Sequence, residues 1–188
     1  MKYHLVKYHP ILLAIVFFVS ALGMNSSPAN AIRLADDTTH FINPPRLKEA
    51  FSSQDGNYVW GATYYFTLAL PEDAGEPLQR VIILQEGGLG RPLFDTTNIA
   101  VFEGVRNRPG KKFSVHKATL DSIVPAITIE FDPPIPAGNT VTIRLYPVRN
   151  PSIAGTYLYG VIAFPPGEKA RGQYIGVGQI RIYDSNLD

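Results

Sequence analysis

The chain has 188 residues, with 17 Lys and Arg, 16 Asp and Glu, and no Cys. A net charge of +1 argues against nucleic acid as a partner, because nucleic acid recognition favours a strongly basic face. Without cysteine there are no disulfides, no thiol chemistry and no Cys-ligated metal, and a packed core must stabilise the fold.

Residues 1–31 have the three parts of a secretory signal peptide. A basic start is followed by a mainly apolar run from Ile11 to Met24 and by small residues that suit cleavage after Ala31. The run is shorter than the roughly 20 residues of a spanning helix, and an uncleaved anchor is the alternative reading. We expect residues 32–188 to form a single domain without a transmembrane span, exported to the periplasm, cell envelope or medium.

The first predicted element of that domain is a helix, at Asn43 to Phe51. Asn43 suits the cap and Pro44 the first turn, and Leu47 and Ala50 recur on one side. No other stretch carries such signals, so little helix is expected.

The rest of the chain alternates Pro and Gly turns with segments rich in β-branched and aromatic residues, which is typical of strands. Tyr58 to Leu70 has the clearest period of two, with Trp60 and Tyr64 on one face and Tyr65 on the other. The predicted strands are Tyr58–Leu70, Leu78–Gln85, Ile99–Glu103, Phe113–Leu120, Ala126–Phe131, Thr140–Tyr146, Tyr157–Phe164 and Tyr174–Tyr183. Eight or nine short strands predict an all-β antiparallel sandwich.

Two features point to binding. Arg106, Arg108, Lys111 and Lys112 place four positive charges in a seven-residue loop, which would attract anionic glycan, lipid or protein surfaces. A solvated hairpin loop is the competing and favoured interpretation.

The second feature is aromatic. Most of the aromatic side chains alternate with small residues and are interpreted as core. Trp60 and Tyr65 fall on opposite faces of one predicted strand, so one of them should be exposed and available for stacking on a sugar or a protein.

Signals for a cofactor or a metal are weak. The glycines at 87, 88 and 90 lack the Lys-Ser/Thr of a phosphate loop and are interpreted as a turn. His40 and His116 are far apart in the sequence and would need a carboxylate to complete a metal site. No cofactor and no metal ligand is predicted.

Signals for catalysis are equally weak. Ser114, His116 and Asp121 supply the residue types of a hydrolase triad, but no strained nucleophile turn separates them. The acidic pairs Asp36-Asp37 and Glu72-Asp73 are interpreted as solvated turns. No catalytic residue is predicted.

Several segments together resemble a family of exported cyanobacterial proteins classed only as a domain of unknown function. They are Val59–Leu68, Leu70–Leu78, Phe131–Gly138, Pro147–Pro151 and Gly155–Gly160. The resemblance covers about Leu34 to Tyr183. It implies export and a compact single domain, and it implies no activity, cofactor or catalytic residue.

The last strands, with their Val-x-Asn-Pro and Gly-x-Tyr steps, also resemble immunoglobulin-like modules of bacterial surface proteins, which favours a sandwich over a barrel. The leading hypothesis is a non-enzymatic structural or binding module whose partner is an unidentified envelope protein or glycan. The alternative is a carbohydrate-active or other hydrolytic enzyme acting on envelope polymers, with Glu76, Glu86 or Asp132 gathered in a cleft.

Overall fold

A computed structural model of the protein describes residues 38–121 and 123–185. The predicted signal peptide, its cleavage site and the Asp36-Asp37 pair lie outside this part of the chain. Within it the chain forms ten β-strands and no α-helix, and therefore no helix that could cross a membrane.

Two antiparallel five-stranded sheets face each other, as the predicted sandwich requires. The strands are β1 (Arg46–Ser52), β2 (Tyr64–Ala69), β3 (Leu78–Gly87), β4 (Ala100–Val105), β5 (Arg108–Phe113), β6 (Val115–Leu120), β7 (Ala126–Ile135), β8 (Thr140–Leu145), β9 (Gly155–Phe164) and β10 (Gln173–Ile182). The first sheet has the order β1-β2-β8-β4-β5 and the second the order β10-β9-β3-β7-β6. β1 contacts β10 along one side, and the chain crosses between the sheets at Ser114 on the other.

The core lies between the sheets and follows the predicted period of two. Val141, Ile143 and Leu145 of β8 are fully buried in the core, as the alternation read from the sequence predicts. Thr142 on the opposite face is buried as well, because the β4–β5 hairpin covers it. The ring of Tyr159 stands edge-on to Tyr64 and Phe66, with centroid separations of 6.1 and 5.6 Å. This aromatic cluster joins β9 of the second sheet to β2 of the first.

The helix predicted at Asn43 to Phe51 is wrong, because most of that segment is strand β1. It pairs with β2 along its whole length, and Leu47 and Ala50 pack against the core from this strand. Asn43 does not cap a helix, since its side-chain amide donates to the Asp73 carboxylate at 2.8 Å. Pairing with an open strand edge outweighed the local helix signals, as tertiary context commonly does.

Two strand predictions change in extent. The predicted strand Phe113–Leu120 belongs to both sheets, because β5 ends at Phe113 and β6 begins at Val115. β7 continues past its predicted end, through Pro133 and Pro134, to Ile135. Prolines are tolerated where the ladder is irregular, and the pairing of β7 with β3 is shifted there. The added strands are β1, predicted as a helix, and β5, predicted as a loop, and they bring the strand count from the predicted eight or nine to ten.

Candidate functional site

One end of the sandwich carries an unusual share of exposed apolar side chains. We call this end, made by residues 53–63, 88–99, 121, 123–125 and 146–154, the loop end. Nine of the fifteen exposed large hydrophobic residues of the described chain lie there or at the adjoining end of β6: Tyr58, Trp60, Leu89, Leu93, Leu120, Ile123, Val124, Val148 and Ile153. Exposed apolar side chains that gather in one region of a protein surface often mark an interaction site.

Trp60, Tyr58 and Arg149 form the centre of this surface. Trp60 is 66% exposed and Tyr58 52%. The Arg149 guanidinium carbon lies 6.0 Å from the centroid of the Trp60 ring and 5.7 Å from that of Tyr58, a separation at which a cation and a ring attract each other. An isolated antiparallel bridge between Trp60 and Arg149 fixes their backbones side by side.

Tyr58 has a left-handed backbone, with a φ of +58°. This conformation costs about 1 to 2 kcal/mol for a residue with a side chain, and such strain concentrates at functional sites. It also breaks the alternation predicted for Tyr58 to Leu70, so β2 begins only at Tyr64.

Buried asparagines hold these loops in place. The Asn150 side chain accepts a hydrogen bond from the Tyr64 hydroxyl at 3.0 Å and donates to the carbonyls of Gln54 and Gly56 at 3.0 and 2.9 Å. Asn57 accepts hydrogen bonds from the backbone and side chain of Ser185. These hydrogen bonds tie the segments that carry the exposed rings to the rest of the domain.

A cleft of about 160 Å³ opens beside Arg149. Its walls are residues 90–93 and 148–152, and the Val148 N–H donates to the Leu93 carbonyl at 2.7 Å to join them. Arg91 contributes a second cation to the same cleft.

The structure separates the residues predicted to bind. Trp60 lies at the loop end, whereas Tyr65 is half-buried on the outer face of the first sheet beside Phe51, with ring centroids 6.3 Å apart. Of these two aromatic candidates, Trp60 is the exposed one.

Arg106 is occupied in packing. Its guanidinium carbon lies 3.9 Å from the centroid of the Phe51 ring, and its Nε lies 3.6 Å from Glu49 Oε1. The β4–β5 hairpin thus folds over the outer face of the first sheet, where the Thr142 hydroxyl donates to the Gly104 carbonyl at 2.7 Å.

The other three basic candidates lie on strand β5 and not in a loop. Arg108, Lys111 and Lys112 are exposed along this edge strand of the first sheet. The structure does not bring them near Trp60. That these six residues form a binding site remains a prediction. In the structure they lie at three separate places on the surface.

Sequence reasoning missed Tyr58 and Arg149. The alternation of apolar residues includes Tyr58 in the predicted strand Tyr58–Leu70, although Gly56-Asn57 before it is a turn signal. Arg149 lies 89 positions after Trp60, and only the bridge between their backbones makes them neighbours.

The weak catalytic and metal signals find no support in the geometry. The described residues contain no group of three His, Cys, Asp or Glu that could hold a metal ion. Asp121 accepts hydrogen bonds from the backbone N–H groups of Val124 and Ile123, which lower the pKa of its carboxyl. The Asp121 carboxylate is therefore engaged by its own loop and does not orient the His116 imidazole.

A hydrolytic site would need two buried carboxylates facing one pocket. Among the described residues Glu76 is the one buried carboxylate. Asp132 is exposed, and Glu86, also exposed, accepts a hydrogen bond from the Tyr174 hydroxyl at 3.0 Å. The acids named for the alternative enzyme hypothesis do not converge.

The glycines at 88 and 90 have φ angles of +105° and +102°. They form a tight turn after β3, which is the interpretation favoured from the sequence.

Comparisons with solved structures yield distant similarities. The chain matches the collagen-binding domain from a Staphylococcus aureus adhesin at 10% identity and a TM-score of 0.35, over 65% of this chain and 87% of that one. It matches the C-terminal domain of the Streptococcus pyogenes antigen I/II-family protein AspA at 12% identity and a TM-score of 0.41, over 73% of this chain and 45% of that one. A cohesin module from a Clostridium perfringens family 33 glycoside hydrolase matches at 11% identity and a TM-score of 0.37, over 74% of this chain and 99% of that one. Similarities this distant do not indicate a ligand or an activity for this chain.

No curated protein matches the sequence. A family profile does match, over residues 38–182, which include all ten strands. Its description is "Protein of unknown function (DUF2808)". The match spans well over half of the chain, and the protein therefore belongs to the DUF2808 family.

Proposed function

We propose that the protein is an exported, non-enzymatic binding module of the cell envelope, and that its loop end binds a partner protein. The observation that carries this proposal is the exposed group of Tyr58, Trp60 and Arg149 on loops held by hydrogen bonds of a buried asparagine. Tyr, Trp and Arg are the residue types that dominate the binding energy of protein interfaces.

The surroundings of this group favour a protein over a glycan. Leu89, Leu93, Val148 and Ile153 are all exposed nearby. Aliphatic side chains offer no hydrogen bonds to sugar hydroxyls, but they complement an apolar protein surface. The hydrogen bonds of Asn150 fix the loops before binding, so less conformational entropy is lost when a partner docks.

The test is recovery of a partner from envelope extract by three forms of the protein. The native form should retain a partner that Trp60→Ala/Arg149→Ala loses. The matched control is Tyr174→Ala/Arg181→Ala, which removes an exposed aromatic and an exposed arginine from β10 and should retain the partner. Equal recovery by both double variants would contradict the proposal.

Fluorescence gives a direct second reading, because Trp60 is the only tryptophan in the chain. Titration with the recovered partner should shift its emission to shorter wavelength as the ring leaves water. Binding without any change in emission would place the interface elsewhere on the molecule.

The export part of the proposal rests on the signal sequence of residues 1–31. N-terminal sequencing of the protein recovered from its native envelope should begin at Ile32. A mature form that still begins at Met1 would refute cleavage.

A further inference from the structure

A shallow groove runs along the side of the sandwich where edge strands β5 and β6 meet. Its volume is about 470 Å³. Residues 96–101 and Phe113 form part of the wall, and Lys112, His116, Lys117 and Arg144 supply its charged and titratable side chains. We call it the edge groove. Neither Trp60 nor Arg149 lines it.

The charged side chains that line this groove, Lys112, Lys117 and Arg144, are all basic. Residues 104–120 contain five Lys and Arg together with His116, and no Asp or Glu, although the whole chain is nearly neutral. Of those five cations, Arg106 alone has a carboxylate of the described chain within salt-bridge distance. The remaining positive charge faces solvent or the groove.

A basic side chain of the groove and two acidic side chains beside it also act on this potential. Arg144 Nε is buried without a hydrogen-bond partner among the described residues. The neighbouring Asp95 carboxylate is engaged within its own turn, because it accepts hydrogen bonds from the Thr97 hydroxyl and N–H at 2.6 and 2.9 Å. Glu130, which pairs with Lys117 across the strands, lies outside the lining.

We propose that the edge groove binds an extended acidic polysaccharide. Carboxylate or sulfate groups would contact Lys112, Lys117 and Arg144, since cations pair strongly with such anions. Sugar hydroxyls would contact Thr96 and Asn98, whose polar side chains lie on the wall formed by residues 96–101. The β5 cations Arg108 and Lys111 would extend the contact along the edge.

The shape and composition of the groove distinguish this ligand from other polyanions. A groove along a sheet edge can hold an extended chain, whereas a flat bilayer surface would contact mainly its rim. Nucleic acid binding would use free rings for base stacking. The one aromatic ring in the lining, Phe113, packs against the core and has the Lys111 ammonium 5.3 Å from its centroid.

The experiment is a calorimetric titration of the exported protein with polygalacturonate, with dextran as an uncharged polymer. Polygalacturonate should bind and dextran should not. Lys112→Gln/Lys117→Gln should weaken binding about tenfold and reduce its salt dependence, since two cations are removed. Lys48→Gln/Arg181→Gln removes two exposed cations elsewhere and should bind like the native protein.

Other outcomes overturn the proposal. Equal loss in both double variants would show that only net charge matters. Equal affinity for phosphatidylglycerol vesicles or a single-stranded oligonucleotide would refute a polysaccharide site. Trp60→Ala should leave polygalacturonate binding unchanged, so failure at the edge groove and failure at the loop end are distinguishable. Melting curves verify that each variant is folded.

Discussion

At the scale of single residues, the loop end depends on side chains that are themselves hidden. Asn150 is 1% exposed and Asn57 6%, yet their hydrogen bonds decide where Tyr58, Trp60 and Arg149 stand. A buried amide that satisfies several backbone groups is costly to remove, because each orphaned group loses its partner without regaining water.

We expect Asn150→Ala to destabilise the fold by about 3 kcal/mol. The substitution leaves the Tyr64 hydroxyl and the carbonyls of Gln54 and Gly56 without their shared partner. Denaturant unfolding measures the loss. Asn98→Ala, at an exposed position, is the control and should change stability by less than about 0.5 kcal/mol. Similar values for the two variants would show that Asn150 is not a structural anchor.

Two buried tyrosines on β9 should respond differently to loss of the hydroxyl. The Tyr157 hydroxyl lies 2.7 Å from the Ile153 carbonyl and also within reach of the Leu89 carbonyl, so its single proton has an acceptor, whereas the Tyr159 hydroxyl has no hydrogen-bond partner among the described residues. Tyr157→Phe should therefore cost about 1 to 2 kcal/mol, and Tyr159→Phe should be neutral or stabilising. Thermal unfolding of the two variants measures the difference, and the reverse order would contradict the hydrogen bonding described.

At the scale of elements, the two sheets are joined on one side by the contact between β1 and β10. Gly178 of β10 is buried opposite Ala50 of β1, and a Cβ added at Gly178 would lie 2.4 Å from the Ala50 Cβ. Two strands with ordinary side chains at this point would be forced apart.

Gly178→Ala should accordingly cost about 1 to 3 kcal/mol through overpacking. The double variant Ala50→Gly/Gly178→Ala moves the methyl group to the other strand and should recover most of that loss. Denaturant unfolding of the single and double variants measures the coupling. Simple additivity of the two single substitutions would disprove close packing here.

Edge strands β5 and β6 combine protection of the sheet edge with the lining of the edge groove. Lysines on an exposed edge discourage pairing with another chain, and the same charges line the edge groove. Arg106, at the tip of the β4–β5 hairpin, belongs to neither use because it packs on Phe51.

At the scale of the whole molecule, the aromatic cluster that joins the sheets gives stability a dependence on alkaline pH. Burial, with a smaller effect of neighbouring tyrosines, raises the pKa of Tyr64 and Tyr159 above the ordinary value of 10.0. In the unfolded chain both phenols would ionise near pH 10, so above that pH the unfolded state loses protons that the native state keeps.

The contribution of these two phenols to the free energy of unfolding is therefore fully present below about pH 10 and is lost as the pH rises further. We expect the free energy of unfolding to fall above that pH, and to fall less steeply in Tyr159→Phe. Tyr183→Phe, which removes an exposed hydroxyl, serves as the control. Identical slopes for both variants between pH 9 and 11 would contradict this account.

The sequence by itself determined the all-β class, most of the strands and, where apolar residues alternate as in Thr140–Tyr146, the inward face of the strand. Val141, Ile143 and Leu145 show why: in a strand, side chains alternate between faces, so apolar residues at every second position mark the buried side without knowledge of any neighbour. The turn at Gly88 and Gly90 was readable for a similarly local reason, since glycine tolerates positive φ.

The tertiary structure decided what depends on neighbours distant in the sequence. β1 is a strand because β2 pairs with it, although Asn43 and Pro44 resemble a helix start. Trp60 meets Arg149 through a bridge between two loops, and Lys112 and Lys117 line one groove because the chain changes sheets between them. Local patterns carry the direction of a side chain, but a binding surface is a set of distances between residues, and only the packing of the sheets sets those distances.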